Sequence, residues 1–514
     1  MWSDLPVEPV IQSCTPPFSF YFDLIGTFWR HPDSNTLPFH RICTLARKQG
    51  AVCFVLESAT TLARVREEID YLDSIHAGGG GAAEAFAVSF FSQDLTSTDI
   101  ADLPADAFLG QAIIINYRPP GAEAFSRSYV YEAILPPPRL PAADGGGLLL
   151  NNYLVPQKSF QCEVRGRTFE VTGIYYSQQN EATHVCAHAC LRMAVTAGGG
   201  DITAKQINQL VQQTPPCEGL KLGDLVAVLE DRGFETDITN CEGISREEYL
   251  SHLASIVESG DQALLVFTTG NSPADHVILV YGHTRHSDEW HPQAMSLYAG
   301  VGSAEYLRAS AWIDHYLVHD DNLGPYYTLS GQALDLDPDI RLRSTMAIRR
   351  RAPNLSPLGA EALAAVMLTN MLEQVKSLGS GRWFDYITSR RWRFVLRTIL
   401  TTREDYIAHL AAVAGHDGTA MSPAELEELA QLPDRIWMVE FSLPALFTGN
   451  RSKLGEVLLA ADPVEPEEYE DVFAGLRLPS LMLVKNADGE TTSTACSLTA
   501  HAPIFRRTTN GQEW

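Results

Sequence analysis

Hydrophobic positions set the first outline of the chain. Short, nearly continuous apolar runs at residues 18–22, 51–57, 86–91 and 111–117 predict strands. Segments 38–49 and 60–75 bring apolar residues back at every third or fourth position, the spacing of a helix with one buried face. Residues 1–135 are therefore expected to form an α/β unit. Pro136, Pro137 and Pro138, followed by Asp144 and the glycines Gly145, Gly146 and Gly147, interrupt both patterns and predict a linker over residues 136–150.

Beyond the linker, residues 159–164 and 168–174 alternate around Arg165-Gly166-Arg167 as a hairpin would. Ala187, Cys190, Leu191, Ala194 and Val195 then recur at helical spacing, and Gly198, Gly199 and Gly200 end that helix. Helical patterns follow at 203–213, 222–232 and 247–259, and β-rich runs at 234–238, 263–268, 276–281 and 311–319. Residues 151–335 thus read as a helix followed by an antiparallel sheet. In the last section, 336–514, residues 341–351 alternate arginine with apolar residues as an exposed edge strand would. Ser356-Pro357 opens a helix to about residue 378, residues 386–400 read as a helix with an arginine-rich outer face, and 435–443, 454–459 and 478–484 read as strands. The fold class expected for the whole is α+β.

Composition narrows the partners. The 514 residues carry 38 Lys+Arg against 63 Asp+Glu, a net charge of −25, which disfavours nonspecific binding to nucleic acid or to an anionic membrane. There is no run of eighteen apolar residues, and the opening Met1-Trp2-Ser3-Asp4 lacks a basic segment before an apolar one, so a cytoplasmic location is expected. Nine cysteines without a spacing pattern fit free thiols rather than a disulfide framework.

The chemistry centres on residues 178–197. Cys186 stands in the first turn of the predicted helix, where outward-pointing N–H groups and the helix dipole favour a thiolate. Gln178, Gln179 and Asn180 lie just upstream, His276 opens a strand ninety residues downstream, and His319-Asp320-Asp321-Asn322 ends another. A nucleophilic thiol, an imidazole base, a carboxylate and an amide donor are the parts acyl transfer through a thioester requires. His184, Cys186, His188 and Cys190 alternate, but neither a helix nor a strand brings four such positions to one zinc, so neither a metal nor a cofactor is expected. Cys190, one turn behind Cys186, is expected in the core. His283, His286 and His291 are expected in a solvated loop.

CAHACLRM at residues 186–193 resembles the CGPACLAM-type block of papain-like cysteine peptidases, especially those that trim double-glycine leaders from bacteriocins, and more distantly phytochelatin synthase. HVILVYG at 276–282 is similar to their catalytic-histidine strand, and HDDNLGPY at 319–326 to their Asp-Pro-x-x-Gly turn. The resemblance spans roughly residues 160–330. It implies a papain-like core in which Cys186 attacks a carbonyl, His276 moves the proton, and Asp320, four residues before Gly324, orients the imidazole, with Asp321 as the alternative. The family's amide donor lies six residues before the cysteine, at Asn180, with Gln179 one residue earlier. Gln179 is taken first and Asn180 kept as the alternative. The Ala187-His188 pair stands where the family has Gly-Pro, and an insertion separates His276 from Asp320. The implied activity is hydrolysis of a peptide or isopeptide bond in a protein or peptide substrate. Transfer of the same thioester to another acceptor, or an inactive peptide-binding scaffold, are the alternatives.

Overall fold

The computed structural model describes residues 10–13, 20–95, 99–138, 152–154, 157–215, 219–270, 275–285, 298–301, 304–331, 334, 339–389, 393–416, 420–464, 469–486 and 488–505. Most of the expected linker, with His286 and His291, lies outside them.

The first sheet is a meander of Val10–Ser13, Cys53–Ser58, Ala82–Phe91, Phe108–Arg118 and Arg127–Ile134, each strand antiparallel to the next. Phe86, Val88 and Ile114 pack on one face with Phe39, Ile42 and Leu45 of the helix Leu37–Lys48. Ala85, Ala87, Ile113 and Ile115 pack on the other with Val65, Ile69 and Leu72 of the helix Ala63–Ser74. Cover on both faces is why these strands read as unbroken apolar runs. The section mixes helices and strands as expected, and its sheet is an antiparallel meander flanked by helices. Residues 20–22, expected in a strand, belong to the helix Phe20–Phe28.

The central sheet runs in the order Gly324–Ser330, Ile313–Asp320, Asp275–Arg285, Gln262–Thr269, Ile340–Arg349, Glu235–Asn240, with Asn152–Leu154 also paired to Asp275–Arg285. Val277, Leu279, Leu264 and Met346 meet Cys190, Leu191 and Ala194 of the helix Cys186–Ala197. Their alternates Ile278, Val280, Leu265 and Ala347 meet Leu253, Ile256 and Val257 of the helix Arg246–Glu258. Period-two alternation therefore distributes the core between two helices.

Ile340–Arg349 is an interior strand, not the exposed edge its arginines suggested. Arg349 is buried and pairs with Asp261 at 2.7 Å and Asp237 at 3.5 Å. The section boundary expected at residue 336 consequently separates this strand from the sheet it completes. In exchange, Tyr298–Val301 and Ala304–Arg308, from within the insertion, form a hairpin that joins the third sheet alongside Phe394–Thr402.

That third sheet continues through Arg435–Ser442, Gly455–Ala460, Phe473–Leu478, Leu481–Lys485 and Thr491–Ala495. The helix expected over 386–400 is in fact the short helix Arg382–Thr388 and the strand Phe394–Thr402. Arg397 faces inward. It starts a buried cross-strand row, Arg397 opposite Glu440, Glu440 opposite Glu456, and Glu456 opposite Arg477. Lys453 bridges Glu440 and Glu456 at 2.7 and 2.6 Å, and Arg397 also reaches Glu258, the last residue of the helix under the central sheet, at 2.5 Å. Three carboxylates balance three cations, so the row is neutral as a whole. Glu258 also holds His283 of the Asp275–Arg285 strand at 2.9 Å, so that histidine is buried rather than in a solvated loop. No described helix is long and apolar enough to cross a membrane.

Removing Glu440 takes one of two carboxylates from both Arg397 and Lys453 and leaves the buried row with excess positive charge. Glu440→Ala is expected to destabilise the chain by on the order of 3–5 kcal/mol in urea unfolding, whereas a neutral outcome would show that the row does not join the sheets as described.

Candidate active site

The helix that carries Cys186 is fixed at three points. Val185 is extended and Cys186 is the first helical residue. His188, at the third position, accepts from the Val185 N–H through Nδ1 at 3.4 Å and meets Asn208 Oδ1 through Nε2 at 2.8 Å. His188 thus caps the helix with its own side chain. One turn on, the Cys190 thiol donates to Val277 O at 3.2 Å, fastening the helix to the strand that bears His276. Farther along, buried Arg192 donates to Ser177 Oγ and Tyr175 Oη, both at 2.7 Å, and lies over the Tyr131 ring. Among the described cysteines Cys186 is the one that is not buried.

These contacts bring Cys186 and His276 together. The His276 ring lies beside Cys186, and its Nε2 meets Asp320 Oδ2 at 3.2 Å. With Nε2 engaged by Asp320, Nδ1 is the ring nitrogen left for another partner. Phe267 stands edge-on to the imidazole at 5.4 Å between centroids. Burial alone would depress the His276 pKa, but hydrogen bonds to Asp320 and Cys186 and the charges of Asp320 and Asp321 outweigh it and push His276 up to about 10.

Asp320 is held by its own turn: Oδ1 accepts from the N–H groups of Asn322 and Leu323 at 2.8 and 3.2 Å, leaving Oδ2 for His276. Asp321 is fully buried 3.9 Å from His276 Nε2, beyond hydrogen-bond distance. Burial raises its pKa, the imidazole opposes and Asp320 adds, leaving it at about 7. Between the two aspartates, Asp320 is the one bonded to the imidazole.

The two amide candidates part clearly. Asn180 Oδ1 accepts from the N–H groups of Ala182, Thr183 and His184, while Nδ2 donates to Glu68 and Thr183. Every polar atom of that side chain is committed to shaping the loop, including the left-handed Glu181 at φ 58°. Gln179 is half-buried and donates from Nε2 to Asn322 Oδ1 at 2.9 Å, which leaves a second N–H on that nitrogen.

The turn from Asp320 to Gly324 therefore carries both the imidazole's acceptor and the partner that orients Gln179. Sequence reading passed over its supports. Asn35 Nδ2 donates to Asn322 O at 2.7 Å, and Arg41 donates to the carbonyls of Pro325 and Tyr326. Gly324, at φ +121°, lets the Leu37–Lys48 helix approach so closely that an added Cβ would stand 2.8 Å from Arg41 Cβ. The one signal for these contacts lay in Asn322 and Gly324 themselves. Their partners, nearly three hundred residues away, leave no local pattern.

His184, Cys186, His188 and Cys190 do not gather. His184 Nε2 bonds Gln178 O and His188 bonds Asn208. Among the described residues the side chains near enough to share a metal ion are His276, Asp320 and Asp321.

No family model matches this chain, and no curated protein matches it. Among solved structures it is similar to the peptidase domain of Streptococcus ComA, a bi-functional ABC transporter involved in a quorum-sensing pathway, at 12% identity and a TM-score of 0.22, over 34% of this chain and 96% of that one.

Burial also holds His184 and His188 neutral, depressing them to about 3 and about 4. Unfolded histidines titrate near 6.5, so the unfolded chain binds more protons below that pH. The stabilisation from these two is complete above about pH 6.5 and is lost as pH falls toward 4. At pH 5 the loss is expected to be on the order of 2 kcal/mol per histidine relative to pH 7. Urea unfolding of a His184→Gln variant should show a shallower pH slope, and an unchanged slope would contradict the assignment.

Proposed function

We propose that this chain is a cysteine peptidase that hydrolyses a peptide or isopeptide bond through a thioester on Cys186. The observation that carries the reading is the His276 imidazole standing beside Cys186 while its Nε2 meets the Asp320 carboxylate. A cationic imidazole beside a cysteine favours the thiolate, the nucleophilic form, and contact with Asp320 and Cys186 pushes His276 up to about 10.

In this reading the Cys186 sulfur attacks the substrate carbonyl carbon. The carbonyl oxygen becomes an oxyanion, met by the Cys186 backbone N–H and by Gln179 Nε2. His276 passes its proton to the leaving nitrogen as the C–N bond breaks, freeing an amine and leaving a thioester. Water then attacks the thioester, His276 takes its proton, and the carboxylic acid departs with the thiolate restored. Asp320 keeps the ring oriented and offsets the charge of the imidazolium throughout.

The half-buried position of Cys186 supports the reading independently. The other described cysteines, Cys43, Cys53, Cys162, Cys190, Cys241 and Cys496, are all buried. Burial pushes Cys162 up to about 12.

Iodoacetamide followed by peptide mapping tests this. Cys186 is expected to be alkylated first in the wild type and at a rate at least tenfold lower in His276→Ala. Comparable, slow labelling of several cysteines in both proteins would point to a scaffold without chemistry. On a fluorogenic peptide amide that the wild type cleaves, Gln179→Ala should lower kcat by about a hundredfold, the worth of one oxyanion donor, while Asn180→Ala should act on stability first. Undiminished turnover by Gln179→Ala would remove that residue from the mechanism.

A further inference from the structure

Asp321 is the one buried acid at the crevice for which the hydrolytic mechanism has no use. Its side chain is fully buried, neither carboxylate oxygen has a hydrogen-bond partner among the described residues, and it faces His276 Nε2 at 3.9 Å. Burying an unpaired carboxylate is costly, and such groups are stabilised by a partner that completes them. Tyr176 Oη, which lies nearby, donates to the backbone carbonyls of Asp320 and Asp321 and not to the orphaned side chain.

We propose that His276 Nε2, Asp320 and Asp321 form a binding site for a divalent cation of the zinc type, and that an ion bound there switches the active site off. The spacing favours it. Ligands bound at about 2.0–2.1 Å to a tetrahedral zinc lie roughly 3.3–3.4 Å apart. His276 Nε2 and Asp320 Oδ2 are 3.2 Å apart, Asp321 Oδ1 is 3.9 Å from the same nitrogen, and the three ligand atoms all lie within 4.8 Å of one another. Small side-chain rotations bring all three to one ion. One imidazole and two carboxylates are a donor set suited to zinc, with a fourth position left for water.

The chemical consequence follows from the imidazole's two nitrogens. Binding at Nε2 displaces the proton that Asp320 otherwise accepts. The one remaining ring proton then resides on Nδ1, and the ring could release it only by becoming a metal-bound imidazolate, so it no longer passes a proton to a leaving nitrogen as an imidazolium does. Zinc therefore occupies the carboxylate side of the imidazole and stops its proton transfer without touching the sulfur. This loss of activity rests on the hydrolase reading above, whereas the binding does not.

The test measures binding directly on the full chain. After chelator treatment, zinc is titrated in competition with a chromophoric chelator against wild type, Cys186→Ala and Asp321→Asn, with circular dichroism to check that each is folded. One zinc per chain is expected in the wild type, with affinity unchanged within about threefold in Cys186→Ala and weakened at least a hundredfold in Asp321→Asn. Asp321→Ser serves if the asparagine variant fails to fold. Loss of zinc in Cys186→Ala with retention in Asp321→Asn would overturn the proposal in favour of a thiolate site, and no zinc binding by the wild type would also overturn it. If the wild type proves inert toward every thiol probe yet binds zinc in this pattern, the hydrolase reading fails and the metal site stands.

Discussion

The docking of one helix on one strand governs the chemistry this chain can perform. Cys186 and His276 are ninety residues apart, and they meet because the apolar face of Cys186–Ala197 lies across the face of Asp275–Arg285 that carries Val277 and Leu279. The burial of Cys190, Leu191 and Ala194 supplies the attraction. The Cys190 thiol on the Val277 carbonyl and the His188 cap set the register and the angle.

The carboxylate side is assembled differently. Asp320 hangs on a turn held by its own Oδ1, by Asn35 and Arg41 from the first section, and by the close approach that Gly324 permits. The same turn presents Asn322 to Gln179. Asp320 and Gln179 are therefore coupled through the five residues of this turn, and the first section of the chain is part of the framework around them. On the far side, the row from Glu258 through Arg397 to Arg477 ties the third sheet to the helix beneath the central one, with His283 of the histidine strand attached to Glu258.

Much of this was legible in the sequence where the physics is local. The helix after Cys186, the apolar strands at 263–268 and 276–281, and the order of thiol, imidazole and carboxylate all follow from periodicity and residue type. What escaped was set by partners far along the chain. Arg349 and Arg397 looked like solvent-facing charges because nothing nearby announces Asp261, Glu258 or Glu440 as their counter-ions. Strand exchange between the second and third sheets, with Ile340–Arg349 joining one and Ala304–Arg308 the other, leaves no mark on the apolar pattern of either segment. Asn180 and Gln179 are adjacent amides whose fates divide according to loop geometry. The first is consumed by three backbone N–H groups and the second turns to Asn322.

The central claim is that sulfur, imidazole and carboxylate act as one unit, and a double-mutant cycle on the rate of Cys186 alkylation tests it most directly. Wild type, His276→Ala, Asp320→Asn and the double variant are compared. A unit predicts that Asp320→Asn slows the reaction when His276 is present and has no further effect once the imidazole is gone. Equal and additive effects of Asp320→Asn in both backgrounds would mean that the carboxylate acts independently of the imidazole, and would contradict the account.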